Sequence, residues 1–211
     1  MAATAWNPND KNPRFEIVGT RGGRNPGSGS WYGCRSTTSK TAQGDYERYF
    51  EGLIIQSNGS NGGIIGIANS AASLGNYPGS NQNSLGWWGN GGRPLGGSGG
   101  SAIGGWNTND VIGFLMNPVR GTLKARKNLG GFSSAASFTF APPFFVIGSF
   151  EDGPAEFRLN WAAADMINPI PQGAVAWDES DPLYIGAAGR AARYLGARTD
   201  AELYLGARSL F

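Results

Sequence analysis

The side chains able to do covalent chemistry are few, and their grouping limits what they can do. Carboxylates cluster twice, at Glu151-Asp152 and at Asp178, Glu179 and Asp181. A glycosidase needs two acids held across a sugar-sized cleft, whereas both clusters adjoin Gly or Pro turns, where solvated acids are ordinary. The second cluster also lacks the ligand spacing of an EF-hand loop. The chain has no histidine and a single cysteine, Cys34. That removes Ser-His-Asp and Cys-His nucleophiles, the usual zinc ligand sets and any intrachain disulfide. Cys34 reads as a small buried hydrophobe. The expectation is a protein that is not an enzyme and carries no cofactor and no metal. What remains is aromatic. Residues 79–109 carry Trp87, Trp88, Arg93 and Trp106 among many Gly, Ser and Asn. Indole faces stack on sugar rings while amides and backbone groups satisfy hydroxyls, so this stretch is the candidate recognition surface. Adjacent strand residues point to opposite faces, which commits at least one of Trp87 and Trp88 to the core.

The elements that must position these residues read as β throughout. Among 211 residues there are 35 glycines, and 12% are aromatic. Many turns with large flat side chains describe an all-β domain with long loops. Lys plus Arg is 17 against 15 Asp plus Glu, a formal +2 with both signs scattered. Nucleic-acid binders concentrate basic charge; here only Lys124, Arg126 and Lys127 sit together, beside one turn, and read as a solvated hairpin end. No nucleic-acid partner is expected. No run approaches the roughly 18–20 apolar residues of a membrane helix, and the start lacks a charged n-region and an apolar h-region. Neither membrane insertion nor a signal peptide is expected.

Strand-like runs fall at 14–19, 49–55, 64–67, 137–140, 144–150 and 155–161. In the last, Phe157, Leu159 and Trp161 alternate inward, with Glu156, Arg158 and Asn160 outward. Several short antiparallel strands between turn signals imply a β-sandwich or jelly roll. The chain divides into residues 1–30, a polar lead-in with one short strand; 31–177, the sandwich; and 178–211, a segment of different texture.

The hairpin Asp110-Val-Ile-Gly-Phe-Leu-Met-Asn117, Gly121-Thr-Leu-Lys124, Lys127-Asn128 resembles the signature hairpin of SPRY (B30.2-type) domains, roughly G-D-V-I-G-hydrophobic-D, a turn, G-T-L and K-N-G. Six further runs keep the family's order. Arg35 to Gly44 followed by Tyr49-Phe-Glu51 resembles its R-x-S-G-K-Y-Y-F-E strand. Gly66-Ile67 and Leu74-Gly75 resemble its G-I/V-G strand and L-G turn. Gly86-Trp87-Trp88 matches an aromatic strand, Pro143 to Val146 the P-A-V strand, and Phe157 to Asn160 the closing F-N-F-G. The resemblance spans about residues 31–161. Asn109 stands where the family usually has Gly, Asn117 where it often has Asp, Ala125-Arg126 replaces an aromatic pair, and no Gly follows Asn160-Trp161. The resemblance implies a SPRY, concanavalin-like antiparallel β-sandwich with a short β-rich C-terminal extension.

Trp6-Asn-Pro-Asn-Asp-Lys11 resembles the opening of SPRY-bearing structural proteins of tailed bacteriophages. Tyr184-Ile-Gly-Ala187, Tyr194-Leu-Gly-Ala-Arg198 and Tyr204-Leu-Gly-Ala-Arg208 recur at a ten-residue spacing, before an apolar end at Phe211. Such units are too small to bury both faces alone, so Tyr184, Tyr194, Arg198, Tyr204, Arg208 and Phe211 are the candidate assembly residues. The resulting expectation is a virion protein of the tail or capsid surface. It would be held by contacts with other virion proteins and with its own copies, and located in the virion. The alternative is a module binding a host receptor or glycan through the tryptophans; a more distant one is an intracellular peptide-binding adaptor.

Overall fold

The computed structural model describes residues 3–25, 31–42, 44–57, 63–92, 94–151 and 154–180. The chain divides into two units, Met1–Asp178 and Glu179–Phe211. The candidate assembly residues of the second unit, Tyr184 to Phe211, lie outside the described residues.

The first unit is a two-sheet antiparallel sandwich, its strands numbered in chain order. One sheet runs β1 (Trp6–Lys11), β4 (Tyr32–Lys40), β12 (Phe144–Phe150), β6 (Ile64–Ala68), β7 (Ser84–Trp88). The other runs β2 (Glu16–Val18), β3 (Gly22–Asn25), β13 (Ala155–Asn160), β5 (Glu47–Gln56), β9 (Val111–Asn117), β10 (Thr122–Lys127), β11 (Ala136–Ser137), β8 (Ser98–Gly99). β14 (Ala174–Ala176) pairs parallel with Glu47 to Tyr49, on the edge of β5 that β13 leaves free.

Between the sheets lie aromatic rings. Trp6 meets Phe15, Phe157 and Trp161 at centroid distances of 5.4, 5.9 and 5.4 Å. Phe50 stacks on Phe114 at 4.9 Å, and Phe150 on Phe157 at 4.4 Å. Gly148 makes room for them, because a Cβ there would lie 2.4 Å from the Phe157 ring and 2.8 Å from Trp6. Cys34 is buried, and that burial pushes its thiol up to about 12 against the smaller opposing effect of a backbone hydrogen bond with Asn7. It behaves as the apolar filler its context implies.

The signature hairpin forms in register from Thr122 opposite Asn117 to Lys127 opposite Ile112. Its polar residues close the open end. Asp110 accepts from Lys127 Nζ at 2.8 Å, Asn128 Nδ2 at 2.9 Å and the Asn107 N–H at 2.7 Å, while Asn128 Oδ1 accepts from the Val111 N–H. Asn109 has φ +72°, the left-handed region that favours glycine and that Asn tolerates. At the other end, Asn117 Oδ1 accepts from the Val119 and Arg120 N–H groups, shaping the turn as an Asp would.

Three expectations need correction. Residues 3–25 supply three strands rather than one. β1 forms despite Pro8 because it is an edge strand, where a missing N–H costs no ladder bond. Residues 137–140 are not a strand: the ladder stops at Ser137, yet Phe138 and Phe140 stay buried, stacked at 4.6 Å. Asn160, expected outward, is fully buried. The segment after β13 folds over it, held by Glu51, which lies opposite Asn160 and accepts from the Ile167 and Asn168 N–H groups.

Burial alone would raise the Asp110 carboxyl, but its bonds from Lys127, Asn128 and Asn107 reverse that and hold it below the usual range. A carboxyl depressed by folding adds stability above its unfolded value, near pH 4 for Asp, and loses it as pH falls through the folded value. Asp110→Ala should cost about 1–3 kcal/mol near neutral pH. The gap between variant and parent urea midpoints should narrow progressively as pH falls below about 4 and the carboxyl takes up its proton; a gap that stays constant with pH contradicts the role.

Candidate functional site

β7 carries the candidate tryptophans, and the pleat separates them. Leu85 and Trp87 are fully buried. Trp87 packs edge-on to Phe114 at 6.4 Å and donates its indole N–H to the Ser101 carbonyl at 3.3 Å. Trp88 is half-buried on the other face, against Trp31 at 5.8 Å, and Trp31 in turn meets Tyr77 at 5.4 Å. All three rings are half-buried, so each keeps part of its surface towards solvent.

Four elements bring this triad together. Trp31 leads into β4, which is separated from β7 by β12 and β6. Gly33, Ser149, Ile64 and Trp88 lie opposite one another across the sheet, so the row between carries one glycine, one serine and one isoleucine. Tyr77 comes from the connection between β6 and β7, which is pinned to the outer face of the sheet. Arg35, only 6% exposed, pairs with Asp10 through two bonds of 2.7 Å and donates to the Asn69 and Ala72 carbonyls. The Gly33 N–H donates to the Leu74 carbonyl at 2.8 Å.

The loop after β7 is a folded plug rather than an open arm. Trp106 is 4% exposed and belongs to the core cluster, its backbone N–H bonded to the Gly89 carbonyl. Gly91, at φ +72°, lies so close to Gly104 that a Cβ would fall 1.8 Å from the Gly104 carbonyl carbon. Lys127 Nζ holds the Gly105 carbonyl at 2.7 Å. Of the four candidates, then, Trp88 alone lies on the half-exposed face; Trp87 and Trp106 are core, and Arg93 lies outside the described residues. Trp31 and Tyr77 had no signal in their own sequence context. Only strand order places them beside Trp88.

The other polar candidates serve the fold. Lys124 pairs with Glu47 at 3.2 Å. Arg126 lies over the Tyr49 and Phe132 rings and donates to Tyr49 Oη and the Pro169 carbonyl, each at 2.9 Å. Asp178 accepts from the Thr4 N–H and from Thr4 Oγ1; its carboxyl is raised by burial, which outweighs the Thr4 bond. Asp152 and Asp181 lie outside the described residues. Among the described residues no group of three or more His, Cys, Asp or Glu is placed to hold a metal ion, and none of the described helices is long and apolar enough to cross a membrane. The triad offers flat apolar ring faces, while the indole N–H of Trp88 is buried without an acceptor among the described residues. That is chemistry for holding a surface.

The two neighbours on β7 should respond differently to truncation. Trp87→Ala should cost about 3–5 kcal/mol by opening the core. Trp88→Ala should cost clearly less, since the ring is only half-buried and its pairing with Trp31 contributes about 0.5–1.5 kcal/mol beyond the area it covers. Chemical denaturation of both variants checks this, and equal losses contradict the assignment of faces.

No family model and no curated protein matches the sequence. Solved structures do. The SPRY domain of human HERC1 is 14% identical, covers 78% of this chain and 99% of its own, and superposes with a TM-score of 0.59. A human SPRY domain is 20% identical over 70% of this chain and 94% of its own, at 0.55. The TRIM65 PSpry domain is 12% identical over 75% and 92%, at 0.54. At these identities the likeness speaks for architecture, and it agrees with the strand order above: the chain has a SPRY-like antiparallel β-sandwich fold.

Proposed function

We propose that this chain is a non-enzymatic interaction module that binds a partner protein through the Trp31–Tyr77–Trp88 face. The observation that carries the reading is that face itself. Three aromatic rings are gathered from distant parts of the sequence and held half-open by anchors on either side. Aromatic side chains offer large contact area at low entropic cost and dominate binding energy at protein interfaces. SPRY domains typically mediate protein–protein interaction, which supports the same reading.

The finer proposal is a structural component of a tailed-phage virion, on the tail or capsid surface, joined to other virion proteins and to its own copies. Its support is the resemblance of Trp6 to Lys11 to the openings of such proteins and the ten-residue repeat of residues 184–208. A second reading, a host receptor or glycan adhesin, is favoured by the half-exposed indole faces of Trp31 and Trp88.

Deleting residues 179–211 should abolish incorporation into particles while the sandwich keeps its thermal midpoint; undiminished incorporation overturns the assembly reading. Replacing Trp31 and Trp88 together by Ala should weaken partner binding by at least about tenfold, as for hot-spot aromatics, with unchanged circular dichroism. Binding that survives the double substitution removes this face from the function.

A further inference from the structure

A second surface, on the outer face of the larger sheet, has an unmet electrostatic need. A groove of about 370 Å³ runs beside the β2–β3 hairpin, between Val18, Arg21, Ile55, Glu156 and Arg158. Arg158 lies half-buried in it, and among the described residues its side chain has no hydrogen bond and no ion pair; its Nε is buried without an acceptor. The other described arginines are all engaged. Arg21 pairs with Asp165, Arg24 with Glu16, Arg35 with Asp10 and Arg120 with Asp45. Arg14, Arg48 and Arg126 donate to neutral oxygens. A guanidinium that is partly desolvated and unpaired is costly, and its fork matches a carboxylate.

The rest of the groove narrows the class of ligand. Glu156 sits on the same strand and face, so a dianionic group would be repelled where a single carboxylate is tolerated. Val18 and Ile55, 39% and 37% exposed, form an apolar wall. β3 separates β2 from β13, so the groove crosses the outer face of β2, β3, β13 and β5 and offers a laid-on segment side-chain contacts rather than an edge to extend. We propose that this groove is a second binding site, which takes an acidic side chain from an extended, otherwise aliphatic segment of a partner protein, with Arg158 receiving the carboxylate. The site is separate from the aromatic face and does not depend on it.

The test uses the full chain labelled with ¹⁵N, observing the Arg158 Nε–H resonance and the amides of Val18 and Gly22. The titrants are the acetylated, amidated peptide Val-Thr-Glu-Thr-Val, its Gln counterpart, and inorganic phosphate. The Glu peptide should shift these resonances saturably, and the Gln peptide should bind at least about tenfold more weakly, the loss expected when a charge-assisted bond is removed. Arg158→Gln should abolish the difference between the peptides. If that variant disturbs the sheet, Ile55→Ser, at the half-exposed wall, should weaken the Glu peptide while leaving its preference over Gln. Equal binding of both peptides, no shift with either, or phosphate competing as well as the Glu peptide would each overturn the proposal.

Discussion

The sandwich depends on an aromatic seam meeting a bare backbone. Trp6, Phe15, Phe150, Phe157 and Trp161 fill the space between the sheets with rings 4.4–5.9 Å apart. They can do so because Gly148 carries no side chain where Phe157 and Trp6 cross β12. Each such pair contributes about 0.5–1.5 kcal/mol beyond the area it buries, and interiors at this density transmit any change in volume. The seam ties together parts of the chain far apart in sequence: β1, the turn before β2, β12 and β13. With no disulfide possible, this packing holds the sheets face to face.

The candidate face inherits its rigidity from that core. On β7 one residue anchors and the next displays: Trp87 is locked against Phe114 and the Ser101 carbonyl, so Trp88 is presented outward at a fixed point. On the outer surfaces two buried charges fasten the coverings. Arg35 ties the connection between β6 and β7 to one sheet. Glu51, fully buried, accepts from Tyr49 Oη and the Ile167 and Asn168 N–H groups on the other. A carboxylate satisfied by three donors is tolerable in the interior, and it converts the segment after β13 from a loose tail into a lid over Asn160.

Much of the framework was legible in the sequence, and the physical reason is locality. The hairpin of residues 110–128 reads clearly because its apolar run, its turn and its closing Asp, Lys and Asn act within twenty residues of one another. β13 reads by alternation up to Leu159. Asn160 fails that pattern because a segment several residues later covers it. β1 was hidden by Pro8, which is permitted only because the strand is an edge, a fact that only the topology supplies. The site was the least legible part. Trp87 and Trp88 were visible as an inward and outward pair, but Trp106 looked like a loop tryptophan among glycines and is core. Trp31 and Tyr77 become neighbours of Trp88 only through the order β4-β12-β6-β7.

The central claim is that two of the seven tryptophans, Trp31 and Trp88, form the exposed aromatic face while Trp6, Trp87, Trp106, Trp161 and Trp177 build the core. Fluorine NMR of the chain labelled with 5-fluorotryptophan, with each resonance assigned by single substitution, tests it most directly when a neutral gadolinium chelate is added. The account predicts strong relaxation enhancement at Trp31 and Trp88 and almost none at the other five. Enhancement at Trp87 or Trp106 equal to that at Trp88 would contradict it.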